Sequence, residues 1–289
     1  MRRSVISVGL AALILLIWPA TAFAATDPLL NTAGNFAVLS GAGMTNTGPS
    51  WITGAIGASS AGITGFPPGT AGPQHIGDST YTTAETDLVG TFTRAAAEPT
   101  TTDYSNVNLG GLTLGPGVYN QSTAPTLTGT LTLSGGGIYI FKIGSTLVTA
   151  TGARVSLVNG AQPCDIFWVV GSSATINPST TFVGNIMALA SIQMLTGATL
   201  NGRALARTAA VTLDTNRIIQ PSGCVGSFTQ SFPTPAYVPP PAGNILPATL
   251  GVPWEFINEI PWLLVMAVGA GFGATVLVVS NRRRRRNSA

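Results

Sequence analysis

Charged side chains are scarce in this chain of 289 residues, because Asp, Glu, Lys and Arg together make up only 8% of it. It has one histidine and two cysteines, so no His or Cys cluster has the spacing of metal ligands, and its acids are scattered. No glycine-rich loop opens a helix after a strand. A Ser-His-Asp arrangement would have to use His75, beside Asp78 in an insertion rich in Pro and Gly. The sequence therefore predicts no metal, no cofactor and no enzyme.

Basic charge is concentrated at the C-terminal end, where Arg282 to Arg286 follow one another. In the residues before them, Lys and Arg do not outnumber Asp and Glu. A nucleic-acid partner is not expected, because the phosphate backbone requires an excess of positive charge.

Both ends of the chain carry features of targeting segments. Residues 1–24 combine a basic start with an uncharged apolar run and the small residues Ala22 and Ala24, which predicts a secretory signal peptide cleaved after Ala24. An N-terminal membrane anchor is the alternative. Residues 261–280 contain no charge and would span about 30 Å as a helix. The arginines after it favour a cytoplasmic C-terminus, with the rest of the chain outside and anchored at the cell surface.

The remaining chain divides into a domain, a linker and a C-terminal region. Residues 25–226 have the β-branched and aromatic runs of a folded β domain. Residues 227–245 carry proline every few positions and predict a semi-rigid spacer. Residues 246–289 contain the predicted membrane helix and the arginine tail.

A repeated pattern runs from Gly137 to Asn216. Ile138 to Leu157 is echoed after 27 residues, and two further units follow at a shorter period of about 18 or 19. Each unit is rich in strand-forming residues and too short to bury its own apolar face. The repeats therefore predict an all-β solenoid of stacked coils.

Three kinds of strand alternate within each repeat. The first kind is apolar at nearly every position, as in Ile138 to Ile143 and Ile166 to Val170, which predicts burial on both faces. The segment Thr82 to Glu98 has apolar residues at helical spacing, and we expect this helix to cover the apolar side. The third kind, including Arg154 to Leu157, is mixed and typical of solvated surface.

The second kind of strand is rich in Thr and Ser. Its alternation places one set of side chains inward, namely Leu127, Ala174, Ile176, Ile192, Met194, Val211 and Leu213. It places another set outward: Thr126, Thr128, Thr175, Asn177, Gln193 and Thr212. The same register also exposes Val148, Ala150, Leu195 and Asp214, which interrupt the polar array.

Cys164 and Cys224 are the two cysteines of the chain. In an oxidising exterior we expect a disulfide between them, which would close a 60-residue loop. Two buried free thiols are the alternative.

Several motifs resemble one family. They comprise Asn35 to Gly41, Thr45 to Pro49, Gly65 to Gly69, Phe167 to Ile176, Gly184 to Ile192, Thr196 to Ala206 and Ala210 to Asn216. In number and order they resemble the microbial family of secreted ice-binding (antifreeze) proteins, over about residues 27–224. The resemblance implies a right-handed, roughly triangular, discontinuous parallel β-helix with one long α-helix alongside, whose N-terminal coil joins the C-terminal ones. It also implies adsorption to ice crystals, with inhibition of ice growth or recrystallisation.

Members of this family often carry the pattern Thr-Ala/Gly-x-Thr/Asn on the ice-binding face. Thr196-Gly197-Ala198-Thr199 matches it, and Thr128 to Leu131 matches in part. The candidate ice-binding residues are Thr126, Thr128, Thr175, Asn177, Gln193, Thr196, Thr199 and Thr212. A cell-surface adhesin for ice, carbohydrate or another surface, without antifreeze activity, is the alternative; sugar binding would need exposed aromatics, for which Trp51 and Tyr119 are candidates.

The C-terminal region resembles a second family, the sortase-anchored wall proteins. Leu246-Pro247-Ala248-Thr249 precedes the apolar segment, as in that family, but Leu250 stands where its pattern has glycine. We therefore expect no sortase processing at Thr249, and membrane anchoring in its place.

Overall fold

The computed structural model describes residues 25–124 and 126–222, which form a parallel β-solenoid with one long helix along its side. The predicted signal peptide, linker and C-terminal region lie outside the described residues. In chain order the strands are β1 Phe36–Ser40, β2 Met44–Thr47, β3 Trp51–Thr53, β4 Ala55–Ala58, β5 Ile63–Thr64, β6 Gln74–Ile76, β7 Thr102–Asp103, β8 Thr113–Leu114, β9 Gly117–Gln121, β10 Thr126–Leu127, β11 Thr130–Ser134, β12 Tyr139–Ile143, β13 Leu147–Thr149, β14 Arg154–Val158, β15 Ile166–Val170, β16 Ala174–Ile176, β17 Thr181–Ala188, β18 Ile192–Met194, β19 Thr199–Ala206, β20 Val211–Asp214 and β21 Arg217–Ile219. The helix α1 is Ser79–Ala97, and short 3-10 helices span Asn31–Asn35 and Pro163–Asp165.

The strands form three faces. The helix face has the order β6-β4-β1-β19-β17-β15-β12-β9-β7, and the threonine face has the order β10-β13-β16-β18-β20-β2-β5. The third face has the order β8-β11-β14-β17-β19-β21-β3. The eight-residue strands β17 and β19 begin on the third face and end on the helix face. The predicted solenoid with one flanking helix is confirmed.

The coils do not stack in chain order. The first coil lies on the last one, because β1 pairs with β19, β2 with β20 and β3 with β21. The chain then continues outward to β6, at one end of the helix face, while β7 lies at the other end. The helix α1 connects these two strands. Nine strands about 4.8 Å apart span about 38 Å, and a helix of 19 residues covers about 28 Å of that distance.

The helix begins three residues earlier than the predicted Thr82. Asp78 is its N-cap, and its carboxylate accepts a hydrogen bond of 2.8 Å from the backbone N–H of Tyr81. Ala84, Leu88 and Ala95 are buried, together with Ile140, Phe167, Met187 and Leu205 of the helix face. The prediction that α1 covers the apolar side is confirmed.

An aromatic stack fills one end of the solenoid interior. It runs through Tyr104, Tyr119, Phe141, Trp168 and Phe182, with neighbouring ring centroids 4.1 to 5.8 Å apart. The indole N–H of Trp168 donates to the carbonyl of Val183 at 3.0 Å. Tyr119 is buried in this stack, so its selection as an exposed aromatic was wrong. Each residue of the stack comes from an adjacent coil, so the stack fixes how the coils align.

Two predictions depend on residues that the structure does not describe. No helix within residues 25–124 and 126–222 is long and apolar enough to cross a bilayer; the predicted helix 261–280 lies outside them. Cys164 lies in the 3-10 helix that precedes β15, and Cys224 lies outside the described residues. The disulfide stays a prediction.

Candidate functional site

A row of threonines crosses the threonine face at right angles to its strands. The strand register aligns Thr126, Val148, Thr175, Gln193, Thr212, Thr45 and Thr64, in that order. We name these residues the central row. All of them are exposed or half-buried. The residues next to them in the same strand face inward. The interruptions are Val148 and Gln193.

The inward-facing side chains hold the central row in place. Leu127, Ala174, Ile176, Ile192, Met194, Val211 and Leu213 are all buried, as their alternation predicted. A threonine on such a strand has few rotamers, because its β-branch is confined between neighbours in the coils above and below. The hydroxyl and methyl groups of the threonines are therefore separated by one or two coil spacings of about 4.8 Å on a stiff support.

Thr45 and Thr64 are members of the central row that the repeats did not reveal. They belong to β2 and β5, which precede the repeats by more than 60 residues and join the face only because the first coil stacks on the last. The alternation in Met44 to Thr47, with Met44 and Asn46 buried and Thr45 and Thr47 exposed, was the available signal.

Small residues lie on one side of the central row. Backbone hydrogen bonds align Ser173, Ser191 and Ala210 in adjacent coils. At the far end of the face, the backbone N–H of Met44 donates to the carbonyl of Gly62, which places Gly62 beside Gly43. The hydroxyl of Ser191 donates to the hydroxyl of Ser173 at 2.9 Å. These short side chains keep that side of the face low, so a flat solid can approach the central row.

The other side of the central row is mixed. Thr128 and Thr47 are exposed, while Ala150, Leu195 and Asp214, for which the sequence predicts exposure, are half-buried. Asn177 lies here too, but its amide donates to the carbonyl of Thr149 at 2.6 Å, and this contact ties adjacent coils together.

The motif Thr196 to Thr199 turns the corner of the solenoid. Thr196 is exposed and donates to a carboxylate oxygen of Asp214 at 2.5 Å. Thr199 begins β19 and pairs with Thr181 and Arg217 on the third face. The structure therefore separates Thr199 from the other candidates, because the turn at Gly197 places the two threonines on different faces.

The central row carries no ionisable group. Its chemistry is that of hydroxyl, methyl and amide groups, and the nearest acid, Asp214, lies to its side. In the described chain no three residues among His, Cys, Asp and Glu are grouped to hold a metal.

The one candidate acid–base pair is used to start the helix. A ring nitrogen of His75 lies 2.8 Å from a carboxylate oxygen of Asp78. The backbone hydrogen bond from Tyr81, followed by the contact with His75, lowers the pKa of Asp78. Because this carboxylate caps α1, the pair has a structural use.

The threonine face therefore combines a stiff solenoid with a central row that carries no charge and has threonine at five of seven positions, which suits contact with an extended surface. The ice-binding-like family model matches residues 38–219, and the chain belongs to that family. An ice-binding protein of Nostoc sp. (strain HG1) is 44% identical over 202 residues, which are 68% of this chain and 75% of that protein. Another from Flammulina populicola is 33% identical, over 72% of this chain and 94% of its own length.

A solved structure shows the same architecture. The ice-binding protein of the Antarctic ascomycete Antarctomyces psychrotrophicus is 39% identical and superposes with a TM-score of 0.66. The match covers 68% of this chain and 99% of that chain. In that protein, therefore, a chain with little beyond the corresponding region is folded.

Proposed function

We propose that the protein adsorbs to ice through its threonine face and thereby inhibits ice growth or recrystallisation. The observation that carries this proposal is the central row, in which Thr126, Thr175, Thr212, Thr45 and Thr64 occupy the same position on five of the seven strands of the threonine face. Membership of the ice-binding-like family also supports this proposal.

The binding mechanism follows from the rigidity of the face. Methyl groups exclude disordered water, while hydroxyl groups at fixed spacing hydrogen-bond to ordered water. Because these side chains are already confined, their immobilisation on ice costs little entropy. Thr128 and Thr196, which are exposed beside the central row, extend the contact with ice. Asn177 contributes indirectly, because its amide donates to the carbonyl of Thr149 and holds the neighbouring coil in place.

The test is an ice recrystallisation assay on the purified domain of residues 25–226, combined with observation of crystal shape. The wild-type domain is expected to keep crystals small and faceted at concentrations where an inert protein of equal size does not. Rounded crystals and unhindered recrystallisation would favour the alternative, an adhesin without antifreeze activity. Soluble neutral sugars are not expected to compete.

We also propose that the domain acts outside the cell, where ice forms. Residues 1–24 would direct export, and residues 261–280 would retain the protein in the membrane with residues 227–245 as the spacer. Because Leu250 replaces the glycine of the sortase pattern, the anchor would stay uncleaved at Thr249 and the protein would dissolve in detergent. Covalent attachment to the cell wall would contradict this.

A further inference from the structure

Four of the six cationic side chains in the described chain stabilise the helix side of the solenoid. The guanidinium of Arg94 donates to the carbonyls of Pro28 and Leu29, and Lys142 donates to that of Glu98. Arg203 is buried and donates to the carbonyl of Gly34 and the amide oxygen of Asn185, and Arg207 lies over the ring of Phe92. These four cationic side chains are therefore engaged in contacts within the domain.

The other two cations, Arg154 and Arg217, lie in one row of the third face. The strand register aligns Arg154, Thr181, Thr199 and Arg217 in four successive coils. Both residues are exposed, and neither side chain makes an ion pair or hydrogen bond with any residue that the structure describes. Three coil spacings separate them, which is about 14 Å.

The surroundings of this row are complementary to a negatively charged partner. None of the strands of the third face contains Asp or Glu. Thr181 and Thr199 lie between the two arginines, and Ser156 and Asn201 lie in the next outward row. These groups offer hydrogen bonds beside each charge.

An exposed aromatic side chain completes the row. Trp51 pairs with Arg217 in the next coil, and the guanidinium carbon lies 4.6 Å from the centre of a ring of the indole. The side chain of Trp51 is 46% exposed. An indole beside a guanidinium presents an apolar surface next to a positive charge, which suits a ring that carries both C–H groups and a carboxylate.

We propose that the third face binds an acidic polysaccharide, a chain of uronate sugars laid along the row from Arg154 to Trp51. Carboxylates on the sugar chain would pair with Arg154 and Arg217, where guanidinium and carboxylate match in a bidentate contact. The repeat of an extended pyranose chain is close to the coil spacing, so successive sugars follow successive coils. The protruding Arg154, Arg217 and Trp51 also prevent this face from fitting flat ice, although it carries many hydroxyl groups.

The test uses the domain of residues 25–226, because Arg282 to Arg286 would bind polyanions by themselves. Retardation in affinity electrophoresis is measured in gels containing polygalacturonate, with dextran as the uncharged comparison. The wild-type domain is expected to be retarded by polygalacturonate alone, and less so as salt is raised. In the double variant Arg154→Gln/Arg217→Gln, affinity is expected to fall about tenfold or more.

Matched controls test whether binding depends on the third face or only on the net charge of the domain. Lys142→Gln removes one charge from the helix side and is expected to have little effect, whereas Arg154→Gln alone weakens binding. Tetragalacturonate should displace the polymer, whereas galacturonate should not, because one sugar cannot reach both arginines.

Three results would overturn the proposal: equal loss from Lys142→Gln, equal retardation in gels containing single-stranded DNA, or equal displacement by the monomer. The readout is independent of ice, since ice shaping by the double variant is expected to equal that of the wild type.

Discussion

At the scale of single residues, Thr175 is the most informative position of the central row. It lies between buried Ala174 and Ile176, with Val148 and Gln193 beside it in the neighbouring coils. Thr175→Tyr should place a ring above the plane of the face and hold ice away. We expect recrystallisation inhibition to fall about tenfold or more, while circular dichroism and melting temperature stay near those of the wild type.

Ser156→Tyr is the matched control for Thr175→Tyr. Ser156 is a half-buried hydroxyl residue on a solenoid strand like Thr175, but it belongs to the third face and pairs with Thr132. The same substitution there should leave ice activity unchanged. Equal losses at the two positions would show that the ice-binding face is assigned wrongly.

Glu85 on α1 makes the stability of the domain depend on pH. Burial raises the pKa of Glu85 from 4.5 to about 7, and the positive charge of Arg207 offsets this only in part. Between these two pKa values the native state binds more protons than the unfolded state, so stability falls as pH rises from about 4.5 to about 7. Its oxygen Oε1 is buried without a hydrogen-bond partner, which adds to the cost of the ionised form.

Glu85→Gln should remove this dependence. We expect the variant to exceed the wild type in stability at pH 8 by on the order of 1 kcal/mol, after allowance for its partial exposure, and to gain less at pH 4.5. Thermal unfolding of both proteins at the two pH values measures the difference. A gain of the same size at both would contradict the assigned cause.

At the scale of elements, α1 stabilises the solenoid through one apolar stripe. Leu88 is fully buried against the helix face, while its neighbour Val89 is 42% exposed. Leu88→Ala should lower the free energy of unfolding by about 2–5 kcal/mol because it leaves a cavity. Val89→Ala, on the same helix, should change it by less than about 0.5 kcal/mol. Chemical denaturation of the two variants provides the comparison, and similar losses would mean that the stripe is not the contact.

The elements also show which features local sequence predicts. Strand β15 was predicted to the residue, because Ile166 to Val170 is uniformly apolar and bounded by a turn. The start of α1 was placed too late, since its first turn is polar and only the cap at Asp78 identifies it. Thr45 and Thr64 were missed because the repeats do not extend to their segments, and the expected join of the first coil to the last ones gives no strand register. Thr199 was grouped with Thr196 because a motif does not reveal where a corner falls.

At the scale of the whole molecule, the predicted disulfide would hold the last coils of the solenoid together. Cys164 lies just before β15, and a bond to Cys224 would close a 60-residue loop worth roughly 4 kcal/mol in the unfolded state. Reduction should lower the melting temperature and leave the β signal of circular dichroism intact. Titration of two free thiols in the oxidised, folded protein would refute the pairing.

The proposed anchor is likewise a property of the entire chain. Deletion of residues 261–289 should release the protein into the medium, because the linker and solenoid offer no second membrane segment by our prediction. Immunoblots of washed cells and of medium measure the partition. Retention of the truncated protein on washed cells would contradict the anchor.

The stacking of β1 on β19 also limits how this architecture can change in size. An ordinary solenoid grows when a repeat is appended to its free end, but here the first coil already occupies the end of the last one. A new coil has to be inserted within the chain, and α1, which connects the two ends of the stack, then has to lengthen with it. Each coil adds about 4.8 Å, which equals about three helical residues. The length of α1 and the number of coils that form the threonine face can therefore change only together.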